Sequence, residues 1–357
     1  MSSRGKRKKE QRLIRLRGVL SEQCKRLEEL EAGLAAKVAG KTTIYLDTNH
    51  WVHMQGVILG RERSKQEYAE VLSLLEDLVA QGTICCPVSS SMFEELMKQT
   101  STRRVTANLM DRLSQGVCLQ FLLKLARREW RYNVWRVVLG GPALRSFPVW
   151  TSAGFRAAQD DLLRDIPFWV DKHEDFIAVW VDQFWSMGFE AAQALPGFTP
   201  VPDSMVKDFV VFMNDAHERT KAALVSFDEM RSRVKLNLLQ ALEKDFLGEP
   251  LPEPKPDVLP TTILSSFVDE HDPWILPPLQ IYASIYAAVL QSNRTVRLHD
   301  ALDFLHAASA IPYCKAFFCD DPMKNFLTSR PLELNKVYST VILSKPDEIV
   351  DYLKQLD

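Results

Sequence analysis

TTIYLDTNHW, residues 42–51, runs from β-branched and aromatic side chains into a carboxylate followed by two small polar residues. The pattern predicts a buried strand that stops at Asp47. In a parallel sheet, binding groups gather just past the carboxyl ends of the strands, where each helix departs, so Asp47 is placed to hold a ligand. An Asp at that point also serves as the N-cap of the next helix. The decapeptide alone leaves both roles open.

Working outward, Lys65 to Ala80 carries Tyr68, Val71, Leu72, Leu75 and Leu78 at helical spacing. A second strand follows at Thr83 to Val88, TICCPV, and ends at Ser89. The run SSSMFEELMKQ then starts like a helix, with serines available as caps and glutamates in the first turns. One βαβ unit over about residues 42 to 88 therefore sets a parallel sheet. Upstream, residues 1 to 12 are Arg- and Lys-rich and are expected to be solvated or to lie on a polyanion. Leu13, Leu16, Leu20, Leu27, Leu30 and Leu34 form a heptad seam with Gln23 in the missing position, weakened by Gly18 and Gly33. Such a helix needs cover, either from the body of the chain or from a second copy in a homodimer.

From about residue 100 to 295 the texture changes to long helical segments, with residues 204 to 246 reading as one long helix or two joined ones. Prolines at 200 and 202, and at 250, 252, 254, 256 and 260, mark extended joints. The α/β texture resumes with LHDALDFLHAASA, Leu298 to Ala310, an amphipathic helix with Leu298, Leu302, Leu305 and Ser309 along one side. KAFFC, Lys315 to Cys319, is a third strand that stops at Asp320 and Asp321. Lys336 to Leu343 closes the sheet, and Pro346 to Leu356 is a last helix. The expected architecture is α/β, three layers around a central parallel sheet. Its parts are a basic N-terminal helical extension (1–40), the two halves of the α/β domain (41–100 and 296–357), and an all-helical insertion (101–295).

Composition narrows the function classes. Hydrophobic residues make up 46% and charged residues 25% of the 357, ordinary for a globular protein. A formal charge of −2 supplies no global basic field, so a nucleic-acid partner needs a local patch. Six cysteines without a CxxC pair suit free thiols in a reducing, cytoplasmic setting. No apolar run is long enough for a secretion signal or a membrane span, so no membrane partner is expected.

Acids stand at the mouth of a strand, or on the helix behind one, in four places: Asp47, Glu94 and Glu95, Asp300 and Asp303, and Asp320 and Asp321. Carboxylates gathered in one cleft repel, so they call for a divalent cation or for protons. Mg2+ or Mn2+ fits best, since hard ions prefer oxygen ligands and keep several waters. Asp300 and Asp303 share a helical face, and Ala307 one turn on is too small to block a cleft. Taken singly, each acid also reads as a cap or a solvated face.

The run LDTN at 46–49, S-x5-E-L from Ser89 to Leu96, D-x3-A-A from Asp303 to Ala308 and C-D-D at 319–321 resemble the PIN-domain nucleases, including the VapC-type toxins. The resemblance covers about residues 42–99 and 298–356. It implies Asp47, Glu95, Asp303 and Asp321 as the catalytic, metal-holding acids, with Asp320 and Glu94 as rivals one residue away, Asp300 assisting, and Asn49 and Ser89 supporting from behind. Cys319 stands where the family often has a hydroxyl residue. The implied activity is metal-dependent hydrolysis of a phosphodiester, usually in RNA, leaving a 5′-phosphate and a 3′-hydroxyl. A toxin or defence role and a silencing protein partner belong to the same resemblance.

The metal-ion chemistry needs no side-chain nucleophile. His50, His53, His299 and His306 lie near the motifs as candidates for proton transfer. For substrate, KLARREWRYNVWR, Lys124 to Arg136, interleaves Arg127, Arg128, Arg131 and Arg136 with Trp130, Tyr132 and Trp135. Guanidinium groups hold phosphates and aromatic faces stack bases, although an amphipathic helix with core tryptophans gives the same pattern. Two rivals remain: a PIN-fold scaffold or regulatory subunit that acts by binding, and a HAD-like phosphotransferase built on Asp47. The latter expects a second Asp at position 49, where this chain has Asn.

Overall fold

A computed structural model describes residues 25–61, 66–98, 101–120, 149–153, 181–192, 226–247, 272–292 and 296–356, with isolated positions at 22, 122, 125, 126, 129, 130, 133, 211, 214 and 267. It is a mixed α/β structure of mostly helical content around four parallel strands. Residues 25–39 form helix α1. Then come β1 (Thr42–Leu46), α2 (Thr48–Ile58), α3 (Gln66–Gln81), β2 (Ile84–Cys85), α4 (Ser90–Met97), α5 (Arg103–Ser114), β3 (Val117–Leu119) and β4 (Trp150–Ser152). Next are α6 (Phe189–Ala192), α7 (Phe227–Leu247), α8 (Pro277–Gln291) and α9 (Leu298–Ala310). The chain closes with β5 (Ala316–Phe318), α10 (Asp321–Thr328), α11 (Leu334–Val337), β6 (Val341–Leu343) and α12 (Pro346–Lys354).

Strand order is β2-β1-β5-β6, all parallel, with Tyr45 opposite Phe317 and Leu46 opposite Phe318. Successive strand residues point to opposite faces. The Tyr45 ring, beside Phe317, meets His306 of α9, whereas Phe318 packs edge-on to Tyr352 of α12, so helices cover both faces. α3 buries Tyr68, Val71, Leu72, Leu75 and Leu78, the stripe read from its spacing. It ends where Gly82 takes φ +81, a left-handed cap in which the Gly82 and Thr83 amides bond back to Val79 and Leu78.

Four expectations need correction. The insertion is not all helical, because β3 and β4 form an antiparallel pair and Val88 bridges to Cys118. Three-residue strands are too short to show a period. α5 packs on α2, α3 and α4, so a boundary at residue 100 cuts through one packed body. The first half of Lys336–Leu343 is the helical turn α11, leaving only Val341–Leu343 as strand. On α9 the fully buried positions include Ala301, Phe304, Ala307 and Ala308, with Leu302 and Leu305 half-buried, because small residues let the helix sit close to its neighbours. The heptad seam falls outside the described residues up to residue 21, but α1 buries Leu27 and Val38 against the body, and its Glu31 accepts a hydrogen bond from Gln120. Of the long helix read at 204–246, α7 covers the second part, and all but residues 211 and 214 of the first lie outside the described residues. Among the described residues no helix is long and apolar enough to cross a membrane.

Leu75 is fully buried among the helices and strands of the core. Leu75→Ala should lower the unfolding free energy by about 2–5 kcal/mol, read as a fall in the urea midpoint at unchanged slope.

Candidate functional site

Parallel strands deliver helix N-termini to one edge of the sheet, where two acids sit as helix caps and a third in the first turn of α9. Asp47 follows β1, donates its amide to the Phe318 carbonyl of neighbouring β5 at 2.8 Å, and accepts the Thr48 amide on Oδ1 at 2.7 Å. Asp320 follows β5 and accepts the Met323 amide at 2.8 Å, capping α10. Asp300 accepts the Arg297 amide at 2.8 Å at the start of α9. The capping role and the site role thus fall on the same carboxylates.

Asp303, one turn into α9, differs from the other three. Among the described residues no hydrogen bond reaches its carboxyl, and burial together with the charges of Asp47, Asp320 and Glu95 pushes its pKa to about 8, against the pull of His306. Asp47 is buried and raised as well, chiefly by desolvation, with the charges of Glu95 and Asp320 adding to it. Asp47, Asp303, Asp320 and Glu95 therefore share one electrostatic neighbourhood. Arg297, His299, Asp300, Asp303, Asp320, Pro322 and Met323 line a cleft of about 460 Å³.

Glu95 reaches this neighbourhood from α4 and is held by two donors. Thr48 Oγ1 donates to its Oε2 at 2.6 Å, and His306 Nε2 stands 3.3 Å from the same oxygen. Burial raises the Glu95 pKa, but the hydrogen bond and charge of His306 and the Thr48 hydroxyl outweigh it and hold the group below its ordinary value. His306 is fully buried, which disfavours its charge, yet Glu95, Asp47 and Asp303 together raise its pKa. Its Nδ1 meets Tyr45 Oη at 2.6 Å and Ser91 Oγ at 3.2 Å, and Tyr45 Oη meets Ser89 Oγ at 2.6 Å. Both ring nitrogens of His306 thus have partners, and two groups hold the Glu95 Oε2 atom in place.

Several expected roles move. Asp321 is exposed and is hydrogen-bonded by the Ser344 hydroxyl, so Asp320, one residue earlier at the strand end, is the acid that acts on Asp47 and Asp303. Asp300 lies at the cleft but primarily fixes the start of α9. Asn49 is exposed on the first turn of α2. Ser89 caps α4 and supports Glu95 at a distance, through Tyr45 and His306. His50 is buried against Tyr68 and Phe318 with its pKa lowered to about 4 by desolvation, and His53 stacks on Tyr68, so neither joins the acids. Cys319 is buried among the carboxylates, and burial and their charge push its thiol pKa up. Arg127, Arg128, Arg131 and Arg136 lie outside the described residues, while Trp130 is a core side chain packed edge-on to Phe267. Tyr45 and Thr48, not singled out from the sequence, were visible within it as the polar-tipped aromatic and the hydroxyl flanking Asp47.

Compared with known proteins, the chain matches no family model, no curated protein and no solved structure. As to metal chemistry, the carboxylates offer only oxygen, the donor a hard divalent ion prefers, and Asp303 takes a proton where such an ion would compensate it. Among the described residues no group of three or more His, Cys, Asp and Glu closes to metal-binding distance. The donor set fits Mg2+ or Mn2+ in chemistry and charge, with the side chains set apart.

Asp303 binds its proton more tightly folded, at about 8, than at its ordinary 3.8, so its stability contribution is whole below about pH 4 and is lost as pH rises through about 8. Glu95 has the opposite sign, stabilising above its ordinary pKa and losing that contribution in acid. Asp303→Asn should therefore raise the thermal midpoint at pH 8, by an equivalent of roughly 1–3 kcal/mol after solvent screening, and change it little at pH 4. Equal shifts at both pH values would contradict this.

Proposed function

We propose that this protein is a metal-dependent PIN-like nuclease that hydrolyses phosphodiester bonds, acting as an endoribonuclease. The observation that carries the proposal is Asp303, a largely buried carboxyl without a hydrogen-bond donor among the described residues, in the charge field of Asp47 and Asp320 from adjacent strand ends. The four short motifs, lying in order along the chain, support the same reading.

In this account Asp47, Asp303 and Asp320 would hold Mg2+ or Mn2+. The ion would supply an activated water and neutralise the charge that develops on the leaving oxygen. Glu95, kept ionised and held by Thr48 and His306, would be the proton acceptor among these residues. The Cys319 thiol, buried and raised in pKa, is held protonated and is no nucleophile. RNA is the proposed partner, and a silencing protein or a second copy of the chain would dock outside the cleft. The rival, a PIN-fold scaffold acting by binding, draws on the spacing of the acids, which among the described residues do not close into a metal-binding group.

Purified protein with Mn2+ should cleave labelled single-stranded RNA, leaving 5′-phosphate ends. Asp47→Asn and Asp303→Asn should each reduce kcat by about a hundredfold or more. Cleavage that survives both substitutions, or none with any divalent ion and either RNA or DNA, would favour the scaffold.

A further inference from the structure

The acid cleft has a rim of nitrogen donors. Arg297 and His299 flank the start of α9 and line the cleft beside Asp300, Asp303 and Asp320. Both side chains face solvent, His299 at 64% exposure. An arginine next to three carboxylates would ordinarily pair with one of them, yet among the described residues the Arg297 guanidinium forms no ion pair. His299 stands 3.9 Å from Asp300 through Nε2, beyond hydrogen-bond reach, so its ring N–H is available. Asp300 meanwhile accepts the Arg297 amide and so ties the backbone from which the two side chains project.

We propose that Arg297 and His299 receive a phosphate of the nucleic-acid backbone, positioning the strand over Asp303 and Asp320. The proposal rests on the nuclease reading of the cleft and adds the side from which the strand enters. A guanidinium offers planar, paired donors to two phosphate oxygens, and an imidazole N–H adds a third hydrogen bond. Because the rim would hold backbone and not bases, binding should be indifferent to sequence and sensitive to salt.

The test uses the full chain and a short fluorescein-labelled single-stranded RNA. Binding is read by anisotropy in the Asp303→Asn background, with and without added Mn2+, across a salt series. Cleavage is read in the otherwise unaltered chain. Arg297→Ala with His299→Ala should weaken binding by about tenfold and make the salt slope shallower by about 0.7 for each phosphate no longer neutralised. In cleavage it should raise KM by a similar factor while kcat stays within about twofold. Arg297→Lys should recover part of the affinity, since it keeps the charge but not the paired geometry. Lys354→Ala, at the far end of α12 and paired with Glu70, should change neither quantity. If the unaltered protein cleaves RNA and the double variant binds and cleaves it with unchanged affinity and salt slope, the rim proposal falls and the nuclease reading stands. If the unaltered protein neither binds nor cleaves, both fall.

Discussion

One constraint shapes this structure: carboxylates brought to the same edge of a parallel sheet repel, and each must find a donor or a counter-charge. Backbone amides at helix N-termini serve Asp47, Asp320 and Asp300. A hydroxyl and an imidazole serve Glu95. Asp303 has no such donor among the described residues, and burial and its neighbours' charges push its pKa to about 8. The positive ends of three helix dipoles lessen the cost of gathering these acids but do not remove it.

The side chains behind the acids are tied together by hydrogen bonds. Ser89, Tyr45, His306 and Glu95 form a hydrogen-bonded chain from the cap of α4, through the central strand, to the middle of α9. Those elements come from both ends of the sequence, on either side of the long insertion. Holding the N- and C-terminal portions in register at Glu95 is therefore a requirement of the buried polar network and not only of the apolar core, since a half-satisfied network costs more than none. Cys319 fits the same pattern: a buried thiol tolerates carboxylate neighbours by remaining protonated.

How much of this was legible in the sequence differed by scale. β1, α3, α9 and α12 were legible because a β-branched run or a helical period extends over enough residues to identify itself. β3 and β4 were not, since three residues have no period and the two strands that pair lie some thirty residues apart in the chain. Asp47 and Asp303, read from separate motifs as members of one site, act on one another electrostatically in the fold. Asp320 and Asp321 look alike in sequence, whereas the cap geometry of α10 turns one toward the cleft and the other toward Ser344. His306 stood out only as one histidine among four near the motifs. Its importance comes from its hydrogen bonds with Tyr45 and Glu95, remote in the chain, which no local spacing reveals.

The claim beneath all of this is that Asp47, Asp303 and Asp320 answer to one divalent cation. Calorimetric titration of Mn2+ into the metal-free protein near pH 7, in two buffers of different ionisation enthalpy, tests it directly. The account predicts saturable binding with about one proton released per ion, since Asp303 must give up its proton to become a ligand, and loss of that release in Asp303→Asn. Absence of saturable binding, or binding and proton release untouched by the substitution, would contradict it.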